Sequence, residues 1–434
     1  MIFRNARILD ASTTLDLKCG DLWIESGKVR AVEKPGVIPK NSSTPEQDCS
    51  GLWVIPGLID AHVHLREPGF EHKETIQSGT LAAAAGGFTS VACMANTNPV
   101  NDHPAITRFI RERAKESGKA RVFPIGAVTQ GLQGKELAEI GGMIAEGAVA
   151  ISDDGMPVMN SKLMRQAMEY ARSFDIPVIS HAEDWHLSHG SSMNEGAYSF
   201  SQGLIGNPAA SEEIMVAREI ALCRLTGARV HIAHVSTRLA LDHIRRAKAE
   251  GLPITAEVTP HHLLLDEAST INYNTYCKMA PPLRSEEDVE AMILALADGT
   301  IDMVATDHAP HSRFEKMAPF AQAPNGIIGI QSVVPLTLSL VRSGKLSLQR
   351  WLESLTSSPA RMLGIPHGNL KPGSEADICI IDPDASWLID SARNFSKSEN
   401  SPYMNNDHAL KVQGQVEETW VSGKPTFLQR MTEK

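Results

Sequence analysis

Four histidines and two aspartates stand where metal chemistry could be done. His62 and His64 sit two apart in Asp60-Ala-His62-Val-His64. Residues two apart on a strand point to the same face, so both imidazoles can reach one ion. His181, His234 and Asp307 fall at the ends of the β-type runs 176–180, 229–235 and 301–306, and Asp153-Asp154 follows the run 148–152. One such histidine alone is more often a satisfied core or surface residue. Four of them, joined by two acidic positions, point to a metal centre, and imidazole with carboxylate suits zinc. Six donors exceed the needs of one four-coordinate ion, which favours two zinc ions sharing a carboxylate over one. Strand alternation separates the two neighbouring acids. Ala148, Ala150, Ser152 and Asp154 share one face, and these small residues leave room for a site, so Asp154 is the expected donor.

The elements that must position these residues follow from patterning. Short β-type runs at 54–59, 88–94, 121–128, 148–152, 176–180, 229–235, 253–258 and 301–306 alternate with helix-length segments at 74–85, 105–116, 161–173, 210–225, 238–249 and 285–297. This alternation predicts an α/β fold, a (β/α)8 TIM-type barrel over 54–364, whose active site is built at the C-terminal strand ends. An open doubly wound sheet would show similar alternation, but the sequence contains neither G-x-G-x-x-G nor a P-loop to support it. Residues 1–53 and 365–434 carry β-type runs broken by turns such as Glu25-Ser-Gly-Lys28 and Ser422-Gly-Lys424. Both ends are expected to form one small β-rich accessory domain. The segments 35–45 and 394–408 read as loop.

Bulk properties set outer limits. The chain has 434 residues, 42% hydrophobic and 21% charged, enough for a large core and too apolar for wholesale disorder. A formal net charge of −10 argues against nucleic acid or an anionic membrane as partner. Six scattered cysteines without a C-x-x-C pair exclude a thiolate zinc site and suggest a reduced, cytoplasmic chain. The N-terminus MIFRNARILD lacks the apolar region of a signal peptide, and no apolar run is long enough for a membrane span.

The ordered motifs GLIDAHVHLREPG (57–69), MANTNPVND (94–102), HAEDWHLSHGSSMNEG (181–196), VHIAHVST (230–237), AEVTPHHLLL (256–265), PPLRSEEDV (281–289) and IDMVATDHAPH (301–311) carry a resemblance over nearly the whole chain. It resembles the dihydroorotases, specifically the longer bacterial type, within the amidohydrolase superfamily. The resemblance implies reversible, zinc-dependent hydrolysis and cyclisation of a ring amide between dihydroorotate and N-carbamoyl-aspartate, in de novo pyrimidine biosynthesis. It implies that His62, His64 and Asp307 bind one zinc and that His181 and His234 bind a second. Asp154 stands at the bridging position, where many superfamily relatives have a carboxylated lysine. Asp307 is also the implied proton carrier, with a pure ligand role as the alternative. Substrate recognition falls to Arg66, whose guanidinium suits a carboxylate, with Asn96, His311 and the Asn325-Gly326 loop. The resemblance further allows a homo-oligomer and association with aspartate carbamoyltransferase.

Three positions depart from the pattern: Ala95 replaces a usual proline, Ala280 a usual asparagine, and Gln331 a commoner glutamate. Ala280 is compatible with an alternative, an allantoinase- or hydantoinase-like enzyme acting on a related cyclic ureide. A non-catalytic scaffold subunit for the transcarbamoylase is a further alternative, and retention of all four histidines argues against it. Asp307→Asn should keep much of the metal and lose most turnover. Metal analysis beside an activity assay checks this, and unchanged turnover would leave Asp307 a ligand only.

Overall fold

Alternating apolar residues build a sheet before any barrel strand is reached. The computed structural model describes residues 1–40, 43–404 and 409–429. Its first five strands are β1 (Ile2–Asp10), β2 (Leu15–Glu25), β3 (Lys28–Glu33), β4 (Glu46–Asp48) and β5 (Trp53–Pro56). The expected strand at 54–59 is divided. Trp53–Pro56 pairs with strands of the terminal sheet, and the barrel starts only at Leu58. Gly57 makes the crossing possible, because a Cβ there would lie 2.2 Å from the Thr89 side chain. An unbroken apolar run hides such a switch of sheets, since both halves are equally buried.

Eight parallel strands then form a (β/α)8 barrel. They are β6 (Leu58–Val63), β7 (Phe88–Cys93), β8 (Arg121–Gly126), β9 (Ala150–Ser152) and β10 (Val178–Ser180), and, after a short β11/β12 pair (Met193–Asn194, Gly206–Asn207), β13 (Val230–Ile232), β14 (Ile254–Val258) and β15 (Met303–Val304). Most are shorter than their apolar runs. The ring closes beyond β15: Val63 pairs in parallel with His308, and His64 N donates to His308 O at 2.9 Å. Asp60 strengthens this seam by accepting from Thr306 N at 3.1 Å and Thr306 Oγ1 at 2.5 Å.

Helices Ile76–Ala85, Pro104–Ser117, Ser161–Arg172, Ala210–Thr226, Arg238–Ala249 and Glu286–Asp298 lie between strands, close to their expected bounds. Thr75, Asn160, Thr237 and Ser285 cap four of them through side-chain oxygens, which explains why their starts were readable. Helix Val333–Arg342, with seven of its ten residues buried, lies outside the expected helix segments. Inside the barrel, Ile59, Ala92, Ile125, Ala150, Ile179 and Met303 share one apolar cluster with Met362 and Leu363. Small residues alternate with branched ones there, and the layer above them is polar.

The C-terminal strands β16 (Ile378–Leu388), β17 (Lys411–Val421) and β18 (Lys424–Leu428) return to the first sheet. Its order is β18-β17-β16-β5-β1-β2-β3, with β4 on β1, so both chain ends share one sheet. The segment expected as loop at 394–408 is irregular through 404, yet Ser396, Ser398, Asn400 and Ser401 are buried. Residues 405–408, and 41–42 within the 35–45 loop, lie outside the described residues. Among the described residues no helix is long and apolar enough to cross a membrane.

Arg121, at the start of β8, ties the barrel to this sheet through Asp377 Oδ2 at 2.5 Å and Glu375 Oε2 at 3.0 Å. Asp377 is buried, and His367 Nδ1, at 3.0 Å, is its other ionic neighbour. Arg121→Met should therefore destabilise the protein by about 2–4 kcal/mol, because a buried carboxylate loses its main cation. Denaturant unfolding measures this, and a loss below about 0.5 kcal/mol would show the link to be idle.

Candidate metal centre

The strand ends bring His62, His64, Asp154, His181, His234 and Asp307 together. His62, His64 and Asp307 form one group able to hold an ion, and His62, Asp154 and His234 form a second. His62 is thus common to both groups. His181 joins through Asp154, its Nδ1 3.5 Å from Asp154 Oδ1. The same Asp154 oxygen lies 3.5 Å from His62 Nε2 and 3.4 Å from His234 Nε2, while Oδ2 lies 3.5 Å from His64 Nε2. His62 Nε2 and Asp307 Oδ1 are also 3.5 Å apart. Two donors each about 2.1 Å from one ion, at tetrahedral angles, lie about 3.4 Å apart. These separations match that spacing and are long for hydrogen bonds. His62 Nε2, Asp154 Oδ1 and His181 Nδ1 are buried without a hydrogen-bond partner among the described residues. Orphaned polar atoms converging on one point fit a divalent cation.

The second ring nitrogens of His62, His64 and His181 are held from behind. His62 Nδ1 lies 2.6 Å from Glu257 Oε1, and the other Glu257 oxygen lies 3.0 Å from His231 Nε2. His231 in turn reaches Thr255 Oγ1 at 2.8 Å. His64 Nδ1 meets Asn96 Oδ1 at 2.8 Å, and His181 Nε2 meets Glu183 Oε2 at 3.3 Å. Such partners fix the ring's orientation and raise its donor strength. Burial opposes ionisation of Asp154, but the charge of the facing His62 and the nearby His181 and His234 imidazoles hold its carboxyl well below the usual range. Asp153 is turned away and accepts from Val128 N at 2.7 Å and Thr129 N at 3.0 Å. Three residues of the site adopt left-handed backbone: Arg66 (φ 63°), His234 (φ 32°) and Asp307 (φ 46°). Each costs about 1–3 kcal/mol in a non-glycine residue, so the surrounding fold imposes them.

A cleft of about 370 Å3 opens above the cluster, lined by Arg66, Asn96, His311 and Asn325 as well as by five of the six candidate ligands. His62 lies beneath it, fully buried. Arg66 donates from Nε to Pro310 O at 3.2 Å, and its Nη2 lies 3.4 Å from His311 Nε2. Among the described residues no carboxylate forms an ion pair with Arg66. Burial, with Arg66, Lys73 and Lys316 nearby, pushes the His311 imidazole down to about 2, so it faces Arg66 as a neutral ring. Gly326 does not line the cleft. Its N–H donates to Lys278 O, and its φ of 153° lets it press on Ala309 O and the His311 ring, where a Cβ would come within 2.7 Å. Asn325 is the residue of that loop on the wall.

Sequence reasoning passed over Glu257, Glu183 and Asn207. The signal for Glu257 was present: a carboxylate inside an apolar strand, in Ala256-Glu257-Val258. Glu183 and Asn207 line the cleft and bond to each other at 2.7 Å, a pairing across 24 residues that no local pattern reveals. Of the departures, Ala280 lines the cleft between Met279 and Pro282. Gln331 lies elsewhere, donating to Arg393 O at 2.6 Å and accepting from Phe395 N at 3.1 Å, a pair of contacts that a glutamate could not complete.

A parallel barrel with imidazoles and carboxylates gathered at its strand ends defines the class, a barrel hydrolase of the amidohydrolase type. The comparisons agree. L-hydantoinase (dihydropyrimidinase) from Arthrobacter aurescens superposes with a TM-score of 0.85 at 25% identity, over 98% of this chain and 95% of that one. The family model Dihydro-orotase-like matches residues 51–240. A dihydroorotase of Syntrophobacter fumaroxidans is 49% identical, over 98% of this chain and 96% of its own length. A dihydroorotase of Solibacter usitatus is 48% identical, over 98% and 97%. The chain belongs to the dihydroorotase family.

Glu257→Gln removes the charge behind His62 while keeping its size. Metal affinity should fall about 10- to 100-fold. Competition with a chromogenic chelator measures it, and unaltered affinity would reduce Glu257 to a packing role.

Proposed function

We propose that the protein is a dihydroorotase, interconverting dihydroorotate and N-carbamoyl-aspartate in pyrimidine biosynthesis, with one or two zinc ions held by His62, His64, His181, His234, Asp154 and Asp307. The observation that carries the substrate assignment is Arg66, a cation on the cleft wall beside the cluster, without an acidic partner among the described residues. Dihydroorotate bears a carboxylate next to its ring, and a guanidinium can take it by two parallel hydrogen bonds. Hydantoin and allantoin lack that group, so the structural likeness to a hydantoinase supports the fold and not that substrate.

Zinc in such a site lowers the pKa of a water toward about 7 and polarises a carbonyl as a Lewis acid. The protein's own groups do the rest. Arg66 holds the exocyclic carboxylate, and the neutral His311 ring, Asn325 and the Asn96 amide border the bound ring. Asp307 takes the proton of the attacking water and passes it to the ring nitrogen. A carbon–oxygen bond forms, the ring carbon–nitrogen bond breaks, and the reverse sequence closes the ring. Asn96 has two jobs, since its carbonyl oxygen already steadies His64.

The family resemblance extends the proposal to a cytoplasmic location, a homo-oligomer and association with an aspartate carbamoyltransferase. All six cysteines are free, and Phe200 and Phe314 are 89% and 86% exposed, which supports a reducing compartment and further covered surface.

Wild-type protein should turn over dihydroorotate faster than hydantoin or allantoin. Arg66→Met should lower kcat/KM for dihydroorotate roughly 30- to 1000-fold, the loss of a charge-assisted contact of about 2–4 kcal/mol, with metal content unchanged. Faster turnover of allantoin or hydantoin by the wild type would reject dihydroorotate as the substrate.

A further inference from the structure

The loop that brings Asn325 to the cleft is shaped by buried cations. Lys278 Nζ donates to Ala321 O at 3.1 Å and Ala323 O at 2.7 Å. Lys316 Nζ donates to Pro324 O at 2.9 Å and Gly326 O at 3.1 Å. Four carbonyls of residues 321–326 are therefore turned onto two ammonium groups. Lys278 is 5% exposed and Lys316 2%, and among the described residues neither forms an ion pair with a carboxylate. Burial pushes Lys278 down to about 8, and burial together with Lys278 pushes Lys316 down to about 7. Keeping such groups buried costs free energy that loop closure alone does not require.

A third residue grips the same loop from the segment 394–404. Asn400 Nδ2 donates to Gly326 O at 3.0 Å and to Ala309 O at 2.9 Å, and Asn400 Oδ1 accepts from His311 N at 3.0 Å. Asn400 thus joins the strand-end loop bearing His311 to the loop bearing Asn325. Its own segment is anchored on the barrel: Ser396 Oγ and Lys397 N donate to buried Glu74, and Ser398 Oγ donates to Lys73 O at 2.7 Å. None of the three residues lines the cleft or contacts a candidate metal ligand in the hydrogen bonds and ion pairs described.

We propose that Lys278, Lys316 and Asn400 are positioning residues that clamp the 321–326 loop, so that Asn325 and the His311 ring meet the substrate in fixed positions. This inference rests on the reading that dihydroorotate binds in the cleft. The clamp acts on binding and leaves the metal cluster alone, so its loss should raise KM far more than it lowers kcat.

The test compares wild type, Lys316→Met and Asn400→Ala in the full-length, metal-loaded protein. Each variant should raise KM for dihydroorotate about 10- to 100-fold while kcat changes by less than about threefold and metal content stays constant. Hydrogen exchange of the Gly326 amide, bonded to Lys278 O, should quicken by at least about tenfold. Unchanged exchange, unchanged KM, or a fall in kcat that tracks lost metal would each overturn the clamp. Asn400→Ala removes no charge, so it carries the test should Lys316→Met fail to fold. A wild type inactive on dihydroorotate would instead remove the proposed function, and exchange at Gly326 would still decide whether the clamp exists.

Discussion

One carboxylate oxygen sets the terms for the rest of the molecule. Asp154 Oδ1 is buried with imidazole nitrogens of His62, His181 and His234 within 3.5 Å and no hydrogen-bond donor satisfying it among the described residues. A buried charge without a hydrogen-bond partner is costly, and here it stands among imidazoles that could share an ion with it. A cation at their centre would satisfy them at once, but the protein must still keep the donors apart from each other and aimed inward. A parallel barrel does this, because each strand end projects from a separately packed strand–helix unit.

Successive layers behind the donors serve the same end. Glu257 faces His62 on one side and His231 on the other, so the ring that belongs to both donor groups cannot rotate freely. Asp60 closes the seam between the first strand and the segment leading to Asp307, and the strained backbone at His234 and Asp307 is carried within that frame. The cleft is built outward from there. Arg66 and the neutral His311 stand beside the cluster, and the cationic loop clamp stands behind His311. The donor cluster and the cleft share walls: five of the six candidate donors line the cleft, and Asn96 touches both the cleft and His64.

The terminal segments matter to this arrangement beyond completing a sheet. Both ends pair in one sheet, yet residues 396–400 leave it to lie on the barrel against Glu74, His311 and Gly326. Their serines and asparagine spend their polar groups on backbone carbonyls, amides and one carboxylate. A polar stretch without periodicity can therefore be ordered when each group has a partner waiting.

How much of this was legible in the chain differs from residue to residue. His62 and His64 could be placed on one face because strand alternation is a local rule, and the helix starting after Thr75 could be placed because a cap acts over three residues. The small-residue parity of Ala148, Ala150 and Ser152 pointed to Asp154 for the same reason. What local rules do not reach was decided by packing. The run at 54–59 divides between two sheets because Gly57 meets Thr89, some thirty residues on. Glu257 lies behind His62 because closure of the ring leaves only one strand between β14 and β6, and Gly326 bonds to Lys278, Lys316 and Asn400, which arrive from other segments. Side-chain type and spacing are properties of the chain, and so the donors and their chemistry could be read from it. Which atoms meet, and which are left without a partner, depends on the register of distant segments, and only the closed barrel with its covering loops supplies that.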